Sequence, residues 1–414
     1  MKKLVILSNT FPDDNFIRSE IEAFKDFDKI VSVQVPMNEN KSMQIINESV
    51  IHYLYNEKLN NTSKFEKIIK VIFNPMFYKE LFIERKKIFT KNFILLMKNI
   101  FAFLGLIDNY STNIKEFLIE NEFTKEDEIV FYAYRMHKHM GAAYLLHKEF
   151  PNSIVIARGH GYDVYEYRWD TNYIVFQKQM LNKMDLILSI SKEGKKYINE
   201  HYGINKDKIL VSYLGTKDCG IQEYKKTNYL RVISCSRIDP LKRIDLIHEA
   251  VINTNVNIEW IHIGGGKLFE SYKKKYEIDS DTKKIKFLGK MNNEEILEYY
   301  KINTFDVFIN YSEYEGVPVT LMEAISFGIP SIATDVGGVS EIIDSNNGFL
   351  IDPQTDPREV SKIFEKIMDM SLNEILEIRK SAREKYMTTF NLKYNKKELI
   401  EVINNKGLEK WIKK

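Results

Sequence analysis

Two glutamates followed by two adjacent glycines form the most informative pattern in the chain. Glu315 and Glu323 lie eight residues apart within Ser312–Glu341, and Gly337–Gly338 follow them in the same segment. A diglycine lets backbone N–H groups and a helix N-terminus approach an anion closely. One carboxylate falls in a loop and the other at the start of a helix, so we expect both to border a crevice that binds an anionic ligand.

The surrounding residues predict the elements that position this pattern. Pro318 suits the start of a helix, and Gly328 suits the position just after its end. In chain order the pattern predicts a strand over Phe305–Asn310, a helix over Val319–Phe327, a strand over Ile329–Ala333 and a second helix that begins at Val339. Two successive strand–loop–helix units place both loops at the carboxyl ends of a parallel sheet, where open α/β folds bind ligands.

Two basic residues follow another predicted strand, Arg231–Cys235. Arg237 and Lys242 lie on either side of a turn at Asp239–Pro240. Two cations at the carboxyl end of a strand suit a diphosphate whose negative charge grows as a bond to it breaks. Such stabilisation by one group is commonly worth about 3–4 kcal/mol, so we expect the loss of either residue to be severe.

A histidine between two glycines follows the predicted strand Ser153–Ala157. His160 lies in an open loop and not on an apolar helix face, which favours a functional role. Asp163 either takes part in the same site or caps the following helix. Arg158 and the pair Tyr134–Arg135 follow neighbouring strands, and we interpret them as candidates to bind an acceptor or a phosphate.

The composition is that of an ordinary globular protein of about two domains. The chain has 414 residues, of which 44% are hydrophobic and 29% charged. Its 60 basic and 58 acidic residues leave no overall field that would argue for nucleic acid. Cys219 and Cys235 are too few for a disulfide framework or a four-cysteine zinc site, which favours a reducing cytoplasm. No run of apolar residues is long enough to span a membrane.

Strands and helices alternate twice along the chain, from Lys3 to Tyr213 and again from Arg231 to Ala333. Such alternation favours parallel sheets with helices on both faces. The segment 216–229 has few apolar residues and no clear periodicity. We therefore predict domains over residues 1–215 and 230–390, joined by a hinge at 216–229.

Residues 64–98 carry nine Lys or Arg and three Glu, a local charge of 9 − 3 = +6, interleaved with seven aromatic residues. Basic side chains among aromatics on helical segments suit an anionic membrane surface or a lipid-linked acceptor. The alternative is a pair of ordinary surface helices whose aromatics fill the first domain's core.

Together, the Glu-x7-Glu and Gly-Gly-x-x-Glu motifs resemble the nucleotide-sugar-binding half of the retaining glycosyltransferases of family four, the group 1 glycosyltransferases. Cys235–Arg243 is similar to that family's Gly-Arg-Leu-x-x-x-Lys-Gly motif, with Ser236 and Arg243 in place of its first and last glycines. Arg158–Asp163 resembles its His-Gly-x-Asp element. The resemblance implies a GT-B fold, in which two Rossmann-like parallel-sheet domains face a central cleft, with a last helix (391–414) that packs back on the first domain.

The resemblance also implies roles for individual residues. Glu323 would hold the ribose hydroxyls, Glu315 and His160 would lie beside the donor sugar, and Arg237 and Lys242 would bind the phosphates. The implied catalytic set is His160, Arg237, Lys242 and Glu315. The implied donor-binding set, with backbone contacts to the nucleobase from Lys290 to Met291, is Gly264, Gly265, Lys290, Met291, Glu315, Gly316, Val317, Glu323, Gly337 and Gly338. The acceptor-side candidates are Arg158, Asp163, Tyr134 and Arg135.

The function implied is that of a hexosyltransferase. It would move a sugar from a nucleotide diphosphate donor, expected to be UDP-linked, to a glycan or lipid-linked acceptor with retention of configuration. The similarity of Val211–Thr216 to bacterial polysaccharide-assembly members predicts a role in capsule or other cell-surface polysaccharide synthesis. We expect no cofactor, and no metal, because two cations and helix N-termini can neutralise the diphosphate. We also expect a cytoplasmic protein, peripheral to the inner face of the membrane.

Other functions stay open at this point. A glycogen-synthase-like enzyme that uses ADP-glucose shares the fold and the phosphate cations. A catalytically silent GT-B subunit would bind a partner glycosyltransferase, but it has no need of Arg237, Lys242, Glu315, Glu323 and His160 together. A dinucleotide-dependent oxidoreductase is disfavoured because no Gly-x-Gly-x-x-Gly follows the first strand.

Overall fold

The structure is a computed structural model that describes residues 1–9, 20–21, 24–35, 50–55, 64–88 and 92–404. The chain divides into two compact units. The first comprises Met1–Ser212 together with the chain from Lys396 onward, and the second comprises Tyr213–Asn395. Within the described residues, each unit contains one seven-stranded sheet.

The first sheet is built from strands that occur throughout the first unit. Its strands are β1 (Lys2–Asn9), β2 (Lys29–Val35), β3 (Ile51–Leu54), β4 (Glu128–Ala133), β5 (Ser153–Gly159), β6 (Leu186–Ser189) and β7 (Ile209–Val211). They lie in the order β3-β2-β1-β4-β5-β6-β7, and all neighbouring pairs are parallel. The central strands β1, β4 and β5 are nearly continuous buried apolar runs, as expected where helices cover both faces.

Eight α-helices are described in the first unit before its sheet ends. They are α1 (Lys64–Ile72), α2 (Pro75–Ile83), α3 (Arg85–Ile88), α4 (Phe93–Glu120), α5 (Lys138–Glu149), α6 (Gly161–Val164), α7 (Gln177–Leu181) and α8 (Lys192–Tyr202). By length and composition α4 could cross a membrane, and it is the one described helix that meets this test. Its buried residues, such as Leu96, Ile100 and Ile107, recur at helical spacing and belong to the core of this unit.

The opposite face of the first sheet has a second core. Leu4 and Ile6 of β1 contribute to it, together with Leu399, Val402 and Ile403 from the last helix. Of the helix predicted over 391–414, residues 405–414 lie outside the described part of the chain.

The second sheet repeats the architecture. Its strands are β8 (Leu230–Cys235), β9 (Ile258–Ile263), β10 (Ile278–Asp279), β11 (Lys283–Gly289), β12 (Val307–Asn310), β13 (Ser331–Thr334) and β14 (Gly348–Ile351). They lie in the order β10-β11-β9-β8-β12-β13-β14, with only the edge pair β10–β11 antiparallel among the described pairs. The remaining described α-helices are α9 (Ile244–Asn253), α10 (Phe269–Tyr276), α11 (Asn293–Ile302), α12 (Val319–Ser326), α13 (Pro357–Asp369), α14 (Leu372–Lys385) and α15 (Leu392–Ile403).

The predicted fold class, two Rossmann-like parallel-sheet domains, is confirmed. The helix predicted over Val319–Phe327 is α12, and the strand that follows it is β13. The helix predicted from Val339 is wrong, because only one 3-10 turn forms there, Val339–Glu341. Asn347 ends it by donating from Nδ2 to the Ile342 carbonyl at 2.9 Å, which turns the chain toward β14.

The segment expected as a hinge, 216–229, counts with the second unit. The side-chain amide of Gln222 donates to the carbonyls of Tyr300 and Asn303, and the Tyr224 hydroxyl donates to Asp306 at 2.8 Å. These hydrogen bonds hold a segment with few apolar residues against the second unit, which its lack of periodicity could not predict.

Candidate functional site

The predicted donor-binding residues of the second unit follow neighbouring strands. Arg237 and Lys242 follow β8, Gly264 follows β9, Lys290 follows β11 and Glu315 follows β12. These strands are parallel, so all of these loops lie at the same edge of the sheet. The structure therefore brings this part of the predicted site together.

An ion pair joins two of the predicted catalytic residues. The Lys242 Nζ lies 2.5 Å from Glu315 Oε1, and the Asn310 side chain donates to the same oxygen at 3.1 Å. Lys242 ends a 3-10 turn in which the Leu241 N–H donates to the side chain of the capping residue Asp239 at 3.0 Å. A diphosphate bound here would compete with Glu315 for the lysine, so the pair holds the ammonium group ready at the edge of the sheet.

Arg237 differs from Lys242 in its surroundings. Its side chain is exposed, and it makes no ion pair with any of the described residues. It lies five residues before Lys242 on the same loop, so this loop carries one cation in an ion pair and one that pairs with none of the described residues. An anionic ligand would therefore gain the interaction with Arg237 without breaking an ion pair to any residue that the structure describes.

Glu323 is a buried carboxyl group in the middle of α12. Only 3% of the residue is exposed, and the Asn293 side chain donates to its Oε1 at 2.5 Å. Burial raises the pKa of Glu323 to about 7, while the hydrogen bond from Asn293 opposes that rise. Sequence reasoning missed Asn293, whose only signal is its place at the start of α11 directly after the capping residue Asn292.

The diglycine allows two loops to approach closely. Gly337 has φ +57°, and a Cβ there would lie 2.3 Å from the Glu315 carbonyl oxygen. The Gly338 N–H donates to the Gly316 carbonyl at 2.7 Å. Both glycines therefore serve to dock the loop after β13 on the loop that carries Glu315, and the Gly338 N–H is already used. Val317 is buried next to this contact.

The glycine triplet after β9 also allows neighbouring loops to approach closely. A Cβ on Gly264 would lie 1.7 Å from the Ser236 carbonyl oxygen, at a φ of +152° that L side chains rarely adopt. Gly265 lies against Lys290, with 3.2 Å between a Cβ built on it and the Lys290 Cβ. The structure therefore brings the triplet beside the predicted nucleobase segment, in which Met291 is half-buried.

Arg243 stands in the loop after β8, at the position where the similar family motif has its last glycine. It has φ +46°, a left-handed conformation that normally favours glycine. Its guanidinium donates to the Pro353 carbonyl at 2.7 Å and to the Ser312 carbonyl at 3.1 Å. These two charge-assisted bonds offset the backbone strain and attach the loop after β8 to the chain beyond β12. The role of Arg243 was not predicted.

In the first unit, Asp163 joins two loops at the carboxyl edge of the sheet. Its carboxylate accepts the His160 N–H at 2.7 Å and the Met136 N–H at 2.8 Å. Burial raises the pKa of Asp163 to about 6, and Arg135 opposes the rise. Asp163 therefore acts as the cap of α6, the second of the two roles considered from the sequence.

His160 follows β5 and lies mostly buried, with its ring 5.1 Å from that of Tyr134. Burial, and then the positive charges of Arg135 and Arg158, hold the pKa of His160 well below its usual range. Its Nδ1 has no hydrogen-bond partner among the described residues. The imidazole is therefore neutral near pH 7 and able to exchange a hydrogen bond with a ligand.

Arg158, an acceptor-side candidate, is part of the fold. It is 1% exposed, forms an ion pair with Glu20 and donates to the Ser212 carbonyl at 2.9 Å. The guanidinium is thus engaged inside the unit, whereas Arg135 in the neighbouring loop is partly exposed. Among the described residues, no group of three or more His, Cys, Asp or Glu is arranged to hold a metal ion.

Comparison with known proteins gives a family match and several relatives. The model of the family described as "Glycosyl transferases group 1" matches residues 221–385. The O-antigen biosynthesis glycosyltransferase WbnH of Escherichia coli is 29% identical over 197 residues, which cover 48% of this chain and 54% of WbnH. The putative colanic acid biosynthesis glycosyltransferase WcaL of Escherichia coli K12 is 24% identical over 259 residues, covering 59% of this chain and 62% of WcaL. The chain thus spans little more than half the length of these relatives.

Solved structures match the whole fold. The lipopolysaccharide outer core galactosyltransferase WaaB is 16% identical, with a TM-score of 0.69 over 98% of this chain and 100% of WaaB. The Anabaena protein HepE, solved in complex with UDP-glucose, is 14% identical, with a TM-score of 0.65 over 97% of this chain and 99% of HepE. At this identity the likeness concerns the fold alone.

The Arg158–Glu20 ion pair gives a test of structural against ligand-binding roles. We expect Arg158→Met to destabilise the protein by about 3–5 kcal/mol, because it leaves the Glu20 carboxylate buried without its cation. The double variant Arg158→Met/Glu20→Met should recover most of that loss. Urea unfolding followed by circular dichroism measures both, with Arg135→Met as the control that keeps the pair. An Arg158→Met protein of unchanged stability would contradict the structural role.

Proposed function

The chain belongs to the group 1 glycosyltransferases and has the GT-B fold, and from this premise we propose that it transfers a hexose from a UDP-linked donor to a glycan or lipid-linked acceptor. The proposal includes retention of configuration and independence of metal ions. It is carried by one observation, the convergence of Arg237, Lys242 and Glu315 at one edge of the second sheet, beside the buried Glu323.

The donor diphosphate would bind at the two cations. Arg237 is exposed and meets the phosphates directly, while Lys242 exchanges its contact with Glu315 for one with a phosphate oxygen. Two cations at this position stabilise the charge that develops as the bond between the sugar and the diphosphate breaks. Glu315, freed in part from Lys242, then accepts hydrogen bonds from the sugar hydroxyls.

The acceptor hydroxyl would attack from the face that the diphosphate leaves. Its proton passes to the departing phosphate, which accounts for retention without a covalent intermediate. His160 is neutral, because its pKa lies below the usual range, and it can orient a hydroxyl of the donor sugar without adding charge. No cofactor takes part in this scheme.

The most specific parts of the proposal are UDP as the nucleotide of the donor and a polysaccharide as the acceptor. A UDP-glucose complex is known for HepE, which has the same fold. The relatives WbnH and WcaL are named for O-antigen and colanic acid biosynthesis. These names support a cell-surface polysaccharide as the product for this chain.

A panel of nucleotide sugars tests the reaction. We expect slow release of nucleotide from one UDP-sugar, and loss of at least a hundredfold in Arg237→Ala, since one such group is worth about 3 kcal/mol. The measurement is nucleotide release from UDP-, GDP-, ADP- and TDP-sugars, with Lys274→Ala, an exposed lysine of α10, as the matched control. Turnover of ADP-glucose alone would favour the glycogen-synthase-like alternative. Absence of both turnover and binding would favour a silent subunit.

The raised pKa of Glu323 gives a test of ribose binding. A carboxylate accepts hydrogen bonds from both ribose hydroxyls, whereas its protonated form accepts them less well. Since the pKa is about 7, binding of UDP-glucose should weaken as the pH falls from 8 to 6, and the affinity of Glu323→Gln should be weak and independent of pH. Calorimetric titration between pH 6 and 8.5 measures this. An affinity of the wild-type protein that does not change with pH would contradict it.

We also propose that the first unit binds an anionic membrane through a surface that we call the α1–α4 surface, formed by residues 68–88 and 92–98. Its large apolar side chains are unusually exposed, with Phe73 at 79%, Phe82 at 72% and Ile94 at 84%. Of the aromatics expected to fill the core, Phe77 is buried. The exposed cations among them are Lys70, Lys79, Arg85, Lys86 and Lys98. Apolar groups that insert among lipid chains and cations that meet anionic headgroups support a peripheral location.

Charge reversal on this surface tests membrane binding. We expect Lys79→Glu/Lys86→Glu to lower partitioning into vesicles of phosphatidylglycerol and phosphatidylcholine by at least about thirtyfold, since losing two basic residues costs about 1 kcal/mol each and the two added carboxylates are repelled by the headgroups as well. Lys87 is left unchanged because its ammonium group lies 2.8 Å from the buried Glu166. Lys274→Glu/Lys380→Glu makes the same change of charge on the second unit and serves as the control. Equal co-sedimentation of both variants with vesicles would refute the surface.

A further inference from the structure

Two stacked aromatic rings, one exposed and one half-buried, lie shortly after His160. The Tyr162 residue is 53% exposed, and its ring stacks on that of Trp169 with 4.9 Å between centroids and 27° between planes. The Trp169 Nε1 donates to the Tyr162 carbonyl oxygen at 2.9 Å. The hydrogen bond and the stacking together fix both rings. Binding of a ligand against them would therefore cost little additional side-chain entropy of the protein.

A half-buried histidine lies at the rim of these rings. The His137 ring is 5.6 Å from that of Trp169 and 4.9 Å from that of Phe103. His137 has φ +65°, which is uncommon for a residue other than glycine, and it directly precedes α5. Burial lowers the pKa of His137 to about 4, so its imidazole is neutral.

Two unsatisfied nitrogen atoms occur in the loops that carry these groups. Neither His137 Nε2 nor His160 Nδ1 has a hydrogen-bond partner among the described residues. Asp163 connects the two loops, because it accepts the N–H groups of Met136 and His160. Buried polar atoms without a partner cost free energy, and in native structures they often mark sites where a ligand or water supplies the bond.

The combination fits the chemistry of a sugar ring. One face of a pyranose presents C–H groups with partial positive charge, which are attracted to the negative face of an aromatic ring. Its edge presents hydroxyl groups, which can donate to or accept from a neutral imidazole. A nucleotide fits less well, because the cations and glycine loops suited to a diphosphate belong to the second unit.

We propose that Tyr162, supported by Trp169, is a platform on which a pyranose ring of the acceptor stacks, with His137 at its rim. Binding of a pyranose follows from the geometry of the first unit. Its identification as the acceptor sugar rests on the proposed function. Tyr162 and His137 are then acceptor-binding residues that neither the sequence motifs nor the family match indicated.

The test uses n-octyl β-glycosides of glucose, galactose and N-acetylglucosamine as probes, with binding followed by saturation-transfer NMR on the full chain. We expect at least one glycoside to bind the wild-type protein, Tyr162→Ala to weaken its binding about tenfold, and Tyr162→Trp to restore it. Tyr167→Ala is the matched control, because Tyr167 is 51% exposed but packs against Tyr165 and Tyr197.

UDP-glucose binding, measured on the same preparations, separates this proposal from the proposed function. We expect it to be equal in the wild-type protein and in all three variants, because the residues proposed to hold the nucleotide and the diphosphate lie in the second unit and none of the variants changes His160. The platform is overturned if no glycoside binds the wild-type protein, or if Tyr162→Ala leaves glycoside binding unchanged. If the wild-type protein does not bind UDP-glucose, the proposed donor is overturned instead. The glycoside measurements alone then decide whether the platform exists.

Discussion

Parallel pairing of strands is the constraint on which both units depend. A chain that leaves one parallel strand must cross back before it enters the next, so helices cover both faces and the loops after the strands share one edge. In the second unit this brings the loops after β8 and β12 together. The ion pair between Lys242 and Glu315, which are 73 residues apart in the chain, is a direct result.

Close approach of these loops sets the second requirement. Gly264 and Gly337 stand where any Cβ would collide with a neighbouring carbonyl oxygen, so their need for glycine comes from loop packing. Arg243 shows another solution, because it accepts an unfavourable φ and attaches two loops through its guanidinium. Contacts between the loops therefore fix the shape of this edge of the sheet. The charged side chains project from these loops.

The charged groups at the carboxyl edges of the two sheets differ in burial, and their roles differ accordingly. Arg158 is buried with Glu20 and Asp163 is used by two backbone N–H groups, so both serve the fold. Arg135 and Arg237 keep contact with solvent. Burial also sets protonation, since it keeps His160 neutral and brings the pKa of Glu323 to about 7. The packing that buries these groups therefore also sets the protonation of the groups on which a reaction would depend.

The sequence by itself determined the two parallel sheets, the helix α12 with its preceding loop, and the family to which the second unit belongs. These features follow from local periodicity and from residue spacing within one strand–loop–helix unit, which a single stretch of chain contains. Only the tertiary structure decided that Lys242 pairs with Glu315, that Asn293 holds Glu323 and that Arg158 is engaged with Glu20. Partners of this kind come from distant parts of the chain, and burial depends on what packs above a residue, so neither leaves a periodic signal in the sequence.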